Sequence, residues 1–368
     1  MNARRWALVA LLAVALVLLL GRAIASLYVD YRVYAAIGAA SLWQAKATIS
    51  AVLRLFSGVV AGAFVFANLF AVRNSVVSLV LPRRVANIEI GEEVPGRYMV
   101  GAAATISLLL GAFLTLDGDE WTTFALARIG TPFHEADPYF QTDLGFFVYW
   151  LPLERAVYVW SLIVVLVVAA VVVFLYALTP SLRWERGSLY VSNYVRRHFA
   201  VLGSLLLLIL AWSYRLDTFQ VLLHGSGEGG AFSYADHRAN IPVYGWLSIL
   251  TLVAAFVVLW FGFTGQVRVA LGAVGAVLLL SFGLRQGGPP LVRRLASTAD
   301  PVARERPYLA TRADYTRRAY AIDRVQRGDS ALAFHSLAEL SRGVSVWDPE
   351  ALARSLTRLS RGERMANS

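Results

Sequence analysis

Cysteine is missing from this chain of 368 residues. Its absence excludes disulfide frameworks, thiolate metal sites and cysteine nucleophiles, and it leaves the compartment open. Charge is scarce as well, at 16% of residues against 58% hydrophobic, where a soluble domain carries about 25% charged residues. Aspartate, glutamate, histidine and lysine are missing from the middle of the long apolar runs, and that disfavours a coupled transporter working through buried carboxylates. The glycine-rich stretch 225–230 lacks both a preceding strand and a Lys-Ser/Thr pair, so it reads as a flexible loop and not a phosphate cradle.

What is present is apolar sequence in long runs. About seven stretches of roughly twenty residues each match the ~30 Å hydrocarbon core of a bilayer, which a helix crosses with every backbone polar group satisfied internally. Their expected limits are 6–27, 48–72, 98–116, 156–178, 199–212, 243–263 and 269–284, the fifth and seventh being short. The expected fold is all-α, a polytopic transmembrane bundle over 1–285 with a short helical extracytoplasmic tail over 286–368. Tryptophan and tyrosine gather at the ends of the runs, as an interfacial belt requires. Gly58 and Gly62 form a GxxxG pair, and Gly272, Gly275 and Ala276 form a second small surface, both suited to close helix packing.

The net charge of +10 is carried almost entirely by arginine. These arginines sit in loops beside apolar spans, where anionic lipid head groups and membrane topology account for them, so no nucleic acid is expected as a partner. Arg4 and Arg5 precede the first span, Arg73, Arg83, Arg84 and Arg97 follow the second, and Arg183, Arg186, Arg196 and Arg197 follow the fourth. That places the N-terminus in the cytoplasm and the tail outside a cell membrane. Arg285, Arg293, Arg294 and Arg304 oppose the bias, but long tails are translocated largely regardless of charge. The first run, with Arg4, Arg5 and then Ala23 to Ala25, also has the form of a cleavable signal peptide.

Candidate chemistry gathers in two loops on the expected outer side. One carries His134, Glu135, Asp137 and Asp143, the other Asp236 and His237. Carboxylates and imidazoles near a membrane surface can act as acid and base or hold a divalent ion. Their spacing matches no metal-ligand pattern, and no cofactor-binding motif is present, so neither is expected. Turn formation competes for the same residues, and Asp137 before Pro138 is itself a good turn.

Three runs in the same order carry a resemblance. They are 137–152, from Asp137, Pro138 and Tyr139 to Trp150, Leu151 and Pro152; 234–242, from Tyr234 to Pro242; and 305–323, from Glu305, Arg306 and Pro307 to Asp323. In them the chain resembles a prokaryotic membrane family catalogued as uncharacterised protein family 0182. The resemblance implies seven helices followed by a large extracytoplasmic domain, with no established activity and no catalytic residues to carry over. It also implies several hundred further residues, so this chain is expected to be a truncated or split member. In the tail, Pro307 is expected to open a helix, and Asp348, Pro349 and Glu350 to open another bearing Leu352, Leu356 and Leu359. Three functions remain open: an envelope anchor and assembly platform with protein partners, a transporter or flippase for a lipid or small solute, and a membrane-embedded transferase or hydrolase.

Overall fold

In the computed structural model, residues 3–77, 96–179, 182–185, 188–295 and 300–324 are described. Helix α1 (Ala3–Ala36) carries the first expected span and turns directly into α2 (Ala40–Val77). The turn needs Gly38, whose φ of 73° lies in the left-handed region. There the Ala39 N–H reaches back to the Tyr34 carbonyl at 2.8 Å and closes the helix end. Then come α3 (Gly96–Phe113), α4 (Trp121–Ile129) and α5 (Leu151–Ala177). A two-stranded antiparallel hairpin, β1 (Leu182–Glu185) and β2 (Ser188–Val191), leads to α6 (Asn193–Leu223). The path continues through α7 (Ile241–Thr264), α8 (Val267–Leu295) and α9 (Pro301–Ala319).

The fold is helical, as expected, and the count of spans is approximate. Among the described residues five helices are long and apolar enough to cross a membrane, or six if one bent pair counts as a single span. The fifth and seventh are not short: those helices run 31 and 29 residues. Both continue past the apolar run because their polar ends find partners on neighbouring helices. Tyr214 of α6 donates to Ser281 Oγ of α8 at 2.8 Å, and Arg285 of α8 to Asp217 of α6 at 2.6 Å.

The bent pair is the third span. Helix α3 stops at Phe113, and after a 3-10 turn at Gly118–Glu120 the chain resumes as α4, the two halves differing by 55°. Proline plays no part in this break. Freed backbone groups must still be satisfied where water is excluded, and side chains from α2 and α5 do so. The Leu116 N–H donates to Ser57 Oγ at 2.9 Å, the Leu114 carbonyl accepts from Trp160 Nε1 at 2.8 Å, and the Gly118 carbonyl accepts from Ser50 Oγ at 2.9 Å.

Helices α5 and α7 begin alike. Each follows a five-residue π turn, Phe146–Trp150 or Asp236–Asn240, and each has proline in its first turn, Pro152 or Pro242. A proline ring clashes with the carbonyl four residues earlier and donates no hydrogen bond, and widening the preceding turn to π spacing relieves both problems.

Neighbouring helices take their direction from hydrogen bonds and ring contacts. Arg196 Nε donates to the Gly262 carbonyl at 2.9 Å and Ser248 Oγ to the Ala211 carbonyl at 2.9 Å, so α6 and α7 run antiparallel. Helix α5 is antiparallel to α6, with Tyr158 on Trp212 (5.8 Å) toward one end and Tyr176 on His198 (5.6 Å) toward the other. The loops before α5 and α7 and the far end of α8 therefore share one rim. One core of Val65, Val72, Val168, Val172, Tyr176, Val195 and Leu202 joins α2, α5 and α6; a second of Leu207, Ala254, Ala255, Val258, Ala270 and Val277 joins α6, α7 and α8.

The GxxxG pair packs within the chain. A Cβ on Gly111 of α3 would stand 2.8 Å from both the Gly58 oxygen and the Gly62 Cα of α2, so these backbones approach as closely as they do because all three residues are glycine. The second small surface has no such neighbour, since a Cβ on Gly272 or Gly275 would meet nothing within 4 Å.

By contact the chain divides into Met1–Tyr308 and Leu309–Ser368. The second unit holds the last turns of α9, where Arg318 lies 4.8 Å from the Tyr315 ring, and a 3-10 turn at Ile322–Arg324. Pro307 lies inside α9, which opens six residues earlier at Pro301. The helix expected from Asp348 lies outside the described residues.

Candidate functional site at the loop rim

The two candidate loops come together. Tyr139 of the first packs on Phe232 (4.5 Å) and His237 (5.4 Å) of the second. Tyr308 of α9 stacks on Tyr139 at 5.8 Å, and its hydroxyl meets His237 Nδ1 at 3.0 Å. The Tyr234 N–H donates to Glu305 Oε2 at 3.0 Å. Rings from both loops and from α9 thus form one aromatic cluster with an imidazole and a phenol in direct contact, and burial pushes the Tyr308 phenol up from its ordinary range.

The carboxylates serve the loops themselves. Asp137, 3% exposed, accepts from the Tyr139 N–H at 3.0 Å and the Phe140 N–H at 2.6 Å, closing its own turn. Burial raises its carboxyl above the ordinary value in spite of these donors. Asp143 accepts from the Phe133 N–H at 3.1 Å and the Gly145 N–H at 2.7 Å, and the Phe133 donor leads in holding its carboxyl below the ordinary value. Asp236, 1% exposed, is the centre of its loop. Its Oδ2 accepts from the Ser226 N–H (2.8 Å), the Ser233 N–H (2.9 Å) and Ser233 Oγ (2.8 Å), and its Oδ1 from Asn240 Nδ2 (2.8 Å). The stretch 225–230 is folded over this carboxylate, with the Gly225 N–H bonded to the Gly230 carbonyl at 3.0 Å. Glu135 takes part through its backbone, its carbonyl accepting from the Leu144 N–H at 2.9 Å. His134 is exposed with φ of 56°. Among the six sequence candidates, His237 is joined to both the other loop and α9, through Tyr139 and Tyr308. Among the described residues no three histidine or carboxylate side chains gather as metal ligands do.

Sequence reasoning missed a second polar cluster beneath this rim. Glu154 pairs with Arg215 and accepts from Trp212 Nε1 at 2.8 Å, while Arg155 donates to Gln220 Oε1 at 2.5 Å. Arg155, Asp217, Gln220, Tyr244 and Arg285 line an open cavity of ≈ 620 Å³ between α5, α6, α7 and α8. Expected spans at 156–178 and 199–212 left Glu154, Arg155, Arg215, Asp217 and Gln220 in loops. The signal lay in helical spacing, since Asp217, Gln220 and His224 fall on one face of a helix continued past Trp212.

These features define a polytopic α-helical membrane protein with an aromatic, hydrogen-bonded rim at one end of its bundle. The chain belongs to the uncharacterised protein family UPF0182, whose family model matches residues 7–362. It is similar to a UPF0182 protein of Desulforamulus reducens, 25% identical over 91% of this chain and 39% of the relative. A UPF0182 protein of Desulfitobacterium hafniense is 25% identical over 96% and 39%, and one of Moorella thermoacetica 29% identical over 71% and 29%. The chain thus spans 39% or less of the length of these relatives. No solved structure matches it.

Proposed function

We propose that the bundle is a cell-membrane anchor and assembly platform, with its N-terminus in the cytoplasm and its loop rim holding extracytoplasmic protein. On this reading 1–285 is the membrane part, and 286–368 opens an extracytoplasmic region. The observation that carries it is the seating of the segment after α8. Glu305 and Tyr308 are held by Tyr234, His237 and Tyr139, so the segment after α8 is seated on the rim as far as Tyr308. A rim whose carboxylates are engaged as turn acceptors is built to keep its shape, which favours presentation of a surface over turnover. The test is a photo-crosslinking residue at Phe133, which is 50% exposed on the rim, in whole cells. Adducts with an envelope polypeptide are expected, and adducts with lipid alone would sink the platform.

A second reading, movement of a lipid or small solute, draws on the broken third span, because discontinuous helices line binding sites in transporters. Its test is flux of the solute or lipid in proteoliposomes, with a bundle that leaks no faster than empty vesicles counting against it.

A further inference from the structure

Arg155 stands where two cavities meet. With Pro152 it lines both the polar cavity of ≈ 620 Å³ and a second of ≈ 560 Å³ that follows α5 through Ala156, Val159, Trp160 and Ile163. These positions recur every three or four residues, so the second cavity is a groove along one helix face running from the rim into the bundle. Val159 and Ile163 are 41% and 48% exposed, which opens the groove sideways.

The charges on the two sides differ. Arg215 is paired with Glu154, and Arg285 with Asp217. Arg155 has the neutral Gln220 amide as its hydrogen-bond partner and no carboxylate within pairing distance among the described residues. A guanidinium presents five N–H donors in a planar fork that fits phosphate oxygens, and it remains charged at any accessible pH. Arg285 lines the same polar cavity, its guanidinium 5.0 Å from the centre of the Tyr244 ring. Asp117 and Glu120 line the groove, so a second anion there is disfavoured and the phosphate is confined to the arginine side.

We propose that this junction binds a phospholipid, its phosphate on Arg155 in the polar cavity and one acyl chain along α5 in the groove. A bare phosphate explains the arginine and leaves the groove unexplained, whereas an amphiphile uses both.

The test takes the full chain in a neutral detergent and measures its retention of added phosphatidylglycerol by native mass spectrometry. Arg155→Gln is expected to weaken retention at least tenfold, and Val159→Trp, which fills the groove without touching a charge, to weaken it severalfold. Arg293→Gln, an exposed arginine outside both cavities, should change nothing. Elution volume and melting temperature show that each variant is folded, and a variant that fails this check is replaced by Arg155→Lys and Val159→Phe, which should weaken retention in the same order. Retention unchanged by Arg155→Gln overturns the phosphate contact. Inorganic phosphate displacing the lipid in Arg155-containing protein, with Val159→Trp silent, marks a free-phosphate site and overturns the lipid.

Discussion

Two polar networks lie in the same bundle, near its opposite ends, and they are built on different principles. Toward the hairpin end, Tyr176 meets His198 Nδ1 at 2.8 Å, His198 Nε2 meets Asn68 Oδ1 at 2.9 Å, and Asn68 Nδ2 donates to the Phe64 carbonyl at 2.8 Å. Because the Asn68 amide nitrogen is committed to that carbonyl, its oxygen accepts from the imidazole Nε2–H, and Nδ1 accepts the tyrosine proton. Donor and acceptor alternate along the line, and no ionised group is needed. Tyr176 is 0% exposed and Asn68 8%, and His198 between them is partly buried. Toward the rim the partners are Glu154 with Arg215 and Asp217 with Arg285, whose side chains are 22%, 50%, 25% and 38% exposed. A bundle in lipid tolerates charge where water or head groups reach it, and along the line from Tyr176 through His198 to Asn68 the polar groups are neutral and partnered.

The strongest way to break this contrast is in the sealed network. Asn68→Leu leaves the partly buried His198 Nε2–H without its partner, and an orphaned buried donor costs about 1–3 kcal/mol. The expected loss is about 2 kcal/mol at any salt concentration, read by unfolding in mixed detergent micelles. Combined with Tyr176→Phe, the losses should fall short of additive, since both changes cut one line of hydrogen bonds. A neutral Asn68→Leu would show that the line is incidental packing.

In the open network the expected effect is smaller. Glu154→Gln removes the charge facing Arg215 and keeps an oxygen for Trp212. A partly exposed pair is worth about 0–1 kcal/mol. The loss should shrink between about 0.01 M and about 1 M salt as the screening length falls from about 30 Å to about 3 Å. Salt dependence in the sealed network, or its absence here, would invert the comparison.

The same contrast explains what the sequence disclosed. The apolar runs were legible because a span must satisfy its own backbone, and five of the expected runs lie within helices long enough to cross. Their edges were not legible. A run of hydropathy ends where Tyr214, Arg215 and Asp217 begin, yet the helix continues to Leu223 because Ser281, Glu154 and Arg285 receive them, and those partners lie some sixty residues away. The break after Phe113 was hidden for the same reason: Ser50, Ser57 and Trp160, which make it tolerable, belong to other helices. The motifs at 137–152 and 234–242 were visible as composition. Their physical content, an aspartate closing the loop, a π turn and a proline in the first helical turn, needed the fold. Asp137 and Asp236 were found as carboxylates, and their burial, which decides between a turn and a site, was not readable.

The smallest effect brings a buried and a half-buried carboxyl into a single loop. Asp143 has a carboxyl held below its ordinary value, so the stability it contributes is present above the unfolded pKa and is lost as pH falls through the folded one. Asp137 has a raised carboxyl, so its contribution has the opposite sign, present below the unfolded pKa and lost as pH rises through the folded one. Both windows lie around pH ~4, the ordinary carboxylate range. Melting temperature followed from about pH 6 to about pH 3 should fall less steeply in Asp143→Asn than in the parent chain, and more steeply in Asp137→Asn. Equal slopes in the two variants would mean that burial does not outweigh the Tyr139 and Phe140 donors at Asp137, and that the loop treats its two aspartates alike.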